Sequence, residues 1–187
     1  MSQCHSEMAA KMLYRNGRKS MLRVTLIDVQ GIEMMKPLSK LFEEARSACI
    51  EWGGEPLYGL YELTSPDGLE VEFLSSINTP VQGLALKIYG GILEIEGTEA
   101  HEMLLWCDTA PTKVPVSIKT DPGKKAKLKI WNVWRGKVGG VDVTQAWLGN
   151  AGMRIEQSAG GKELVLLCSD GEGAVEFSDL KVRVTIG

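Results

Sequence analysis

The chain has 187 residues, 44% hydrophobic and 24% charged, enough apolar material for one medium domain or two small ones and too much for an intrinsically disordered protein. A formal net charge of −3 gives no sign of the clearly basic surface that nucleic acids and anionic membranes attract, so neither partner is expected. No run of about 18 apolar residues is present, which excludes a transmembrane helix.

Residues 1–20 carry Lys11, Arg15, Arg18 and Lys19 but lack the apolar core of a secretory signal, so a flexible N-terminal arm and a cytoplasmic location are expected. Cys4, Cys49, Cys107 and Cys168 lie about 45–60 residues apart, without the close pairs of a zinc site. Cys107 and Cys168 sit in apolar strand-like runs, where a thiol packs as a small hydrophobe.

Leu22, Val24 and Leu26 alternate with polar neighbours and predict a strand over 22–29. Pro37 then suits the first turn of a helix whose apolar stripe runs through Leu38, Leu41, Phe42, Ala45, Ala48, Cys49 and Trp52, with Gly53-Gly54 as its stop. Leu57 to Leu63 and Leu69 to Phe73 come next, as a hairpin of two strands joined by the reverse turn Ser65-Pro66-Asp67-Gly68. Residues 21–77 thus read as a β-α-β-β unit. It either stands alone as an α+β subdomain or lends strands and a covering helix to the remainder of the chain.

Beyond residue 77 helical periodicity stops, and strand runs recur at roughly 8–14-residue intervals. They cover 84–89, 92–96, 102–107, 114–119, 126–134, 141–148, 153–157, 164–168 and 180–186. Alternation is clearest in Val114/Val116/Ile118 and Leu180/Val182/Val184/Ile186. Glycine, at 21 residues, punctuates the gaps, as in Gly90-Gly91, Asp121-Pro122-Gly123 and Asp170-Gly171. The expected fold is mainly β, α+β overall: an antiparallel β-sandwich of jelly-roll type over 78–187, preceded by the small unit with one helix.

Three of the five tryptophans cluster in Trp131-Asn132-Val133-Trp134-Arg135 and Gln145-Ala146-Trp147-Leu148-Gly149-Asn150. Residues three apart in a strand point to opposite faces, so one of Trp131 and Trp134 belongs to the core and the other to the surface or a groove. Asn132, Trp134, Arg135, Trp147 and Asn150 then form a candidate site for a small molecule or carbohydrate, with indoles under the apolar face and amide and guanidinium groups at the polar edge. The alternative packs all three indoles in the core.

Asp170, Glu172, Glu176 and Asp179 surround two glycines, and oxygen ligands from Asp170, Glu172 and Asp179 would suit calcium, although the spacing is not that of an EF-hand. The alternative is a solvated loop, with Asp170 closing an Asx-turn and Asp179 capping the start of the last strand. His101, near Glu99, Glu102 and Asp108, is the candidate general base of a small hydrolase or lyase, against the plainer reading of an edge histidine. No GxSxG, HExxH, P-loop or dinucleotide fingerprint occurs. Lys124, Lys125, Lys127 and Lys129 form a basic run that reads as a solvated or edge face.

The succession NVWR, AWLGNAGM, CSDG and FSDLKVRV, over roughly residues 128–186, resembles the ending of β-sandwich (jelly-roll-like) domains of uncharacterised bacterial proteins. Its last part is similar to the ending of some calcium- or sugar-binding sandwiches, and that resemblance implies that Asp170 and Asp179 match the acids there. The functional expectation is a non-catalytic ligand-binding or interaction sandwich, with two alternatives: the His101 enzyme, and a structural sandwich that forms homo-oligomers through exposed strand edges.

Overall fold

The computed structural model describes residues 36–187 apart from Gly139. The arm at 1–20 and the strand expected at 22–29 lie outside the described residues. The described chain holds one helix, α1 (Leu38–Ala45), and fourteen strands. These are β1 (Cys49–Trp52), β2 (Glu55–Tyr58), β3 (Tyr61–Thr64), β4 (Gly68–Ser76), β5 (Val81–Tyr89), β6 (Gly91–Ile95) and β7 (Thr98–Ala100), then β8 (Glu102–Trp106), β9 (Lys113–Thr120), β10 (Lys127–Val138), β11 (Val141–Gln145), β12 (Gly152–Gln157), β13 (Glu163–Ser169) and β14 (Leu180–Ile186).

All pairings are antiparallel, and they build two sheets. One has nine strands in the order β1-β2-β12-β13-β14-β4-β9-β6-β7; the other runs β11-β10-β5-β8, with β3 also paired to β10. β3 takes residues 127–130 of β10 and β11 takes residues 134–138, so the two share one long edge in succession. The fold is an antiparallel β-sandwich with a single helix among the described residues.

Between the sheets lies one core. Val71, Val114, Leu166, Val182 and Val184 come from the larger sheet and Leu84, Leu86, Leu128 and Ile130 from the smaller, all at most 3% exposed. The alternation read at Val114/Val116 and Leu180/Val182/Val184 is present: these side chains are buried while Lys113, Pro115, Lys181 and Thr185 face water.

The segment before residue 77 differs from expectation in three ways. First, α1 stops at Ala45, because Arg46 adopts a left-handed φ of 48° and its N–H turns back to the Glu43 carbonyl. Cys49–Trp52, expected as the last helical turns, instead pairs with Glu55–Tyr58. Gly53 and Gly54, with φ of 65° and 83°, make the two-residue hairpin turn, which needs positive φ at both positions. A Gly-Gly pair serves a hairpin as well as a helix stop, and cross-strand pairing outweighed the helical stripe.

Second, the expected strand Leu57 to Leu63 is broken at Gly59-Leu60, where the chain leaves the nine-stranded sheet for the other. Third, β3 and β4 do not pair with each other: the Ser65-Pro66-Asp67 turn carries the chain back across the sandwich, β3 joining β10 and β4 settling between β14 and β9. Residues Pro37–Gly187 form one compact unit, so the strands before residue 77 complete the same two sheets as those after it.

Candidate functional site

The pairing of β10 with β5 runs unshifted from Lys127↔Tyr89 to Arg135↔Val81, so the side chains of β10 alternate strictly. Leu128, Ile130, Asn132 and Trp134 share one face, and Lys127, Lys129, Trp131, Val133 and Arg135 share the other. Trp134, expected as a candidate groove-lining indole, is 0% exposed. It is covered by the Asp170-Gly171 turn: a Cβ on Gly171 would stand 2.7 Å from Trp134 Cη2. Asn132 is also buried, and its Nδ2 donates to the Ser169 carbonyl at 2.9 Å. Neither side chain can meet a ligand at the surface.

Arg135 lies on the outer face. Its guanidinium stacks 4.4 Å from the Trp106 ring centroid and pairs with Asp108 at 2.8 Å. Asn150 is a brace. Its Oδ1 accepts the Leu38 N–H at the start of α1, its Nδ2 donates to Gly173 O at 2.6 Å, and beside it Ser39 N donates to Gly149 O at 2.9 Å. The helix is thereby fastened to the loop that carries Trp147. Of the five expected ligand-binding residues, Trp147 lines a mostly apolar cleft, while Arg135 lines a separate, more polar opening of about 490 Å³ with Pro80, Val81, Lys137 and Asp142.

Trp147 is 51% exposed yet held on two sides. Its indole packs on Trp131 with centroids 5.2 Å apart and planes tilted by 30°, and its Nε1 donates to Gly59 O at 2.9 Å. It lines a mostly apolar cleft of about 460 Å³ together with Phe42 of α1, Ala48, Gly59 and Leu60, and with Ser39, Glu43, Arg46 and Ser47 as its polar and charged members. The Phe42 ring lies over Gly59, 3.6 Å from where a Cβ would stand. Sequence reading assigned Phe42 to a packing stripe. The early end of α1 and the break at Gly59-Leu60 bring Phe42 and Trp147 to one cleft, and no local pattern announces either.

The acidic loop is a bracing element. Asp170 Oδ1 accepts the Glu172 N–H at 2.8 Å, which is an Asx-turn, while Oδ2 accepts Gln82 Nε2 at 2.8 Å. Asp179 Oδ2 accepts the Asp170 N–H at 3.0 Å. Asp170 and Asp179, expected with Glu172 as calcium ligands, are buried and turn these oxygens to protein donors, and among the described residues no three acids, histidines or cysteines gather as a metal site.

Burial pushes the Asp179 carboxyl above the ordinary aspartate range; the Asp170 N–H opposes this, while the Asp170 and Glu176 carboxylates add to it. A raised folded-state pKa means that the fold favours the protonated acid. The contribution is complete below the unfolded value of about 3.9 and is lost as pH rises through the folded value. Asp179→Asn keeps an acceptor for Asp170 and carries no charge. Its stability relative to the parent, from urea midpoints, is therefore expected to be more favourable at pH 7 than at pH 4; equal differences at both would show that Asp179 ionises without cost.

His101 Nδ1 lies 3.0 Å from Gly91 O. The acids expected to orient it are engaged elsewhere: Glu99 with Lys119 at 2.6 Å, Glu102 with Lys87 at 2.6 Å and Asp108 with Arg135. In the basic run, Lys124 meets Asp121, Lys127 meets Glu62, and Lys129 lies over the Tyr89 ring. Burial raises the thiol pKa of both Cys107 and Cys168, which keeps these sulfurs in the unreactive protonated form.

No protein-family model matches this chain, and no curated protein or solved structure matches it.

Proposed function

We propose that this protein is a non-catalytic ligand-binding β-sandwich whose site is the cleft between Phe42 and Trp147. The observation that carries the reading is a half-exposed indole, already fixed by Trp131 and the Gly59 carbonyl, that lines one mostly apolar cleft with a second aromatic ring, Phe42. Fixing the indole beforehand removes most of the ordering cost that a mobile tryptophan would add to binding. A volume of about 460 Å³ suits a small molecule. Two rings over an apolar floor favour a planar, largely apolar ligand over a carbohydrate, whose hydroxyls would require more partners than the rim provides.

The lining supports binding more than chemistry. Ser47 Oγ is tied to the backbone of Cys49, donating to its carbonyl at 2.6 Å, and Glu43 is paired with Lys40 at 2.7 Å. A thermal-shift screen of small aromatic, aliphatic and sugar compounds tests the reading. At least one aromatic compound is expected to raise the unfolding midpoint by mass action, and Trp147→Ala and Phe42→Ala are each expected to reduce that shift by more than half. A shift that survives both substitutions, or a panel with no shift at all, removes the cleft as the binding site.

A further inference from the structure

We propose that the ligand of this cleft is a planar aromatic carboxylate, its ring system held between Phe42 and Trp147 and its carboxylate on the guanidinium of Arg46. The proposal rests on the reading of the cleft as a binding site and adds the charge of what enters it. Arg46 lines the rim, is exposed, and has no ion-pair or hydrogen-bond partner for its side chain among the described residues. The other described arginines differ: Arg135 has Asp108, Arg154 has Glu55, and Arg183 has both Glu72 and Glu163. Glu43, the acid in the lining, is paired with Lys40 at 2.7 Å, so among the described residues of the lining Arg46 is the charge without an opposite partner.

The placement of Arg46 is set by the fold. It is the left-handed residue that ends α1, with φ of 48°, and the two backbone bonds closing the helix, Arg46 N to Glu43 O and Ser47 N to Phe42 O, set its Cα at the rim, one helical turn beyond Phe42. A helix end carries at most about half a negative charge, which the full charge of a guanidinium outweighs. Guanidinium presents paired N–H donors that match a carboxylate edge. An aromatic acid therefore satisfies both halves of the site, whereas a neutral aromatic leaves the charge unused and a simple inorganic anion leaves the rings uncovered.

The test is calorimetric titration of the full chain with 2-naphthoate and with 2-naphthalenemethanol, which shares the ring system and lacks the charge. Naphthoate is expected to bind at least tenfold tighter, and Arg46→Gln to abolish that preference. Arg46→Lys is expected to retain part of it, and raised salt to weaken the acid alone. Equal affinities for the two probes, or a preference that persists in Arg46→Gln, overturn the carboxylate proposal; if Trp147→Ala still weakens both probes, the cleft itself stands. Binding of neither probe, or binding indifferent to Trp147→Ala, overturns the cleft reading and this proposal together.

Discussion

Trp134→Ala is expected to destabilise the fold by about 3–5 kcal/mol, as deletion of a fully buried aromatic ring leaves a cavity that its surroundings cannot refill. The surroundings here are unusually fixed. Gly171 presses on one edge of the ring, and the neighbouring Asp170 is held through both carboxylate oxygens by Gln82 and Glu172. Trp134→Phe should cost far less. The indole Nε1 has no hydrogen-bond partner, so phenylalanine keeps most of the ring and removes an unsatisfied donor that itself costs about 1–3 kcal/mol. Urea denaturation of the three forms checks this order. A loss below about 1 kcal/mol in Trp134→Ala would place the ring at the surface.

Gly171→Ala is the converse test, adding volume where the first removes it. Its φ is not in the left-handed region, so an alanine there is opposed by space alone. The new methyl would overlap Trp134 Cζ2 and stand 2.6 Å from Leu148 O. A loss of about 3 kcal/mol is expected, the upper part of the range for overpacked sites. Since both substitutions act on one contact, Gly171→Ala combined with Trp134→Phe should cost less than the sum of the single changes. Strict additivity would show that the loop yields without touching the ring. The strain should also reach the cleft, because Gly171 O accepts the Asn150 N–H and Asn150 Oδ1 holds the first turn of α1.

The β-rich second part of this molecule was legible because every strand in it but β7 carries its own evidence. Val114/Val116 and Leu180/Val182/Val184 show period-two burial within a few residues, and glycine and aspartate turns mark where each run stops. Nine runs beyond residue 77 therefore appear as β5, β6 and β8–β14, with only the three-residue β7 missed. Its Glu96-Gly97 turn, with φ of 49° and 81°, is a tight hairpin whose flanking Thr98-Glu99-Ala100 carries too little alternation to read. The helix was legible at its start and not at its end. An apolar residue every three or four positions continues from Leu41 through Trp52, and that spacing cannot register that β2 offers Cys49–Trp52 a partner strand.

The candidate site divides along the same line. Composition and local pattern by themselves determined that the chain forms an antiparallel β-sandwich with a tryptophan-rich pair of neighbouring segments, since burial period and turn chemistry act between residues close in sequence. Tertiary structure alone decided that Trp134 and Asn132 are sealed under the Asp170-Gly171 turn, that the acids brace a loop, and that Phe42, Trp147 and Arg46 meet around one opening. Phe42 and Trp147 lie more than a hundred residues apart, and the face each shows depends on a helix end, a sheet crossing and a loop tether. All three are set by pairing and packing across the whole unit, and no short window of sequence contains them.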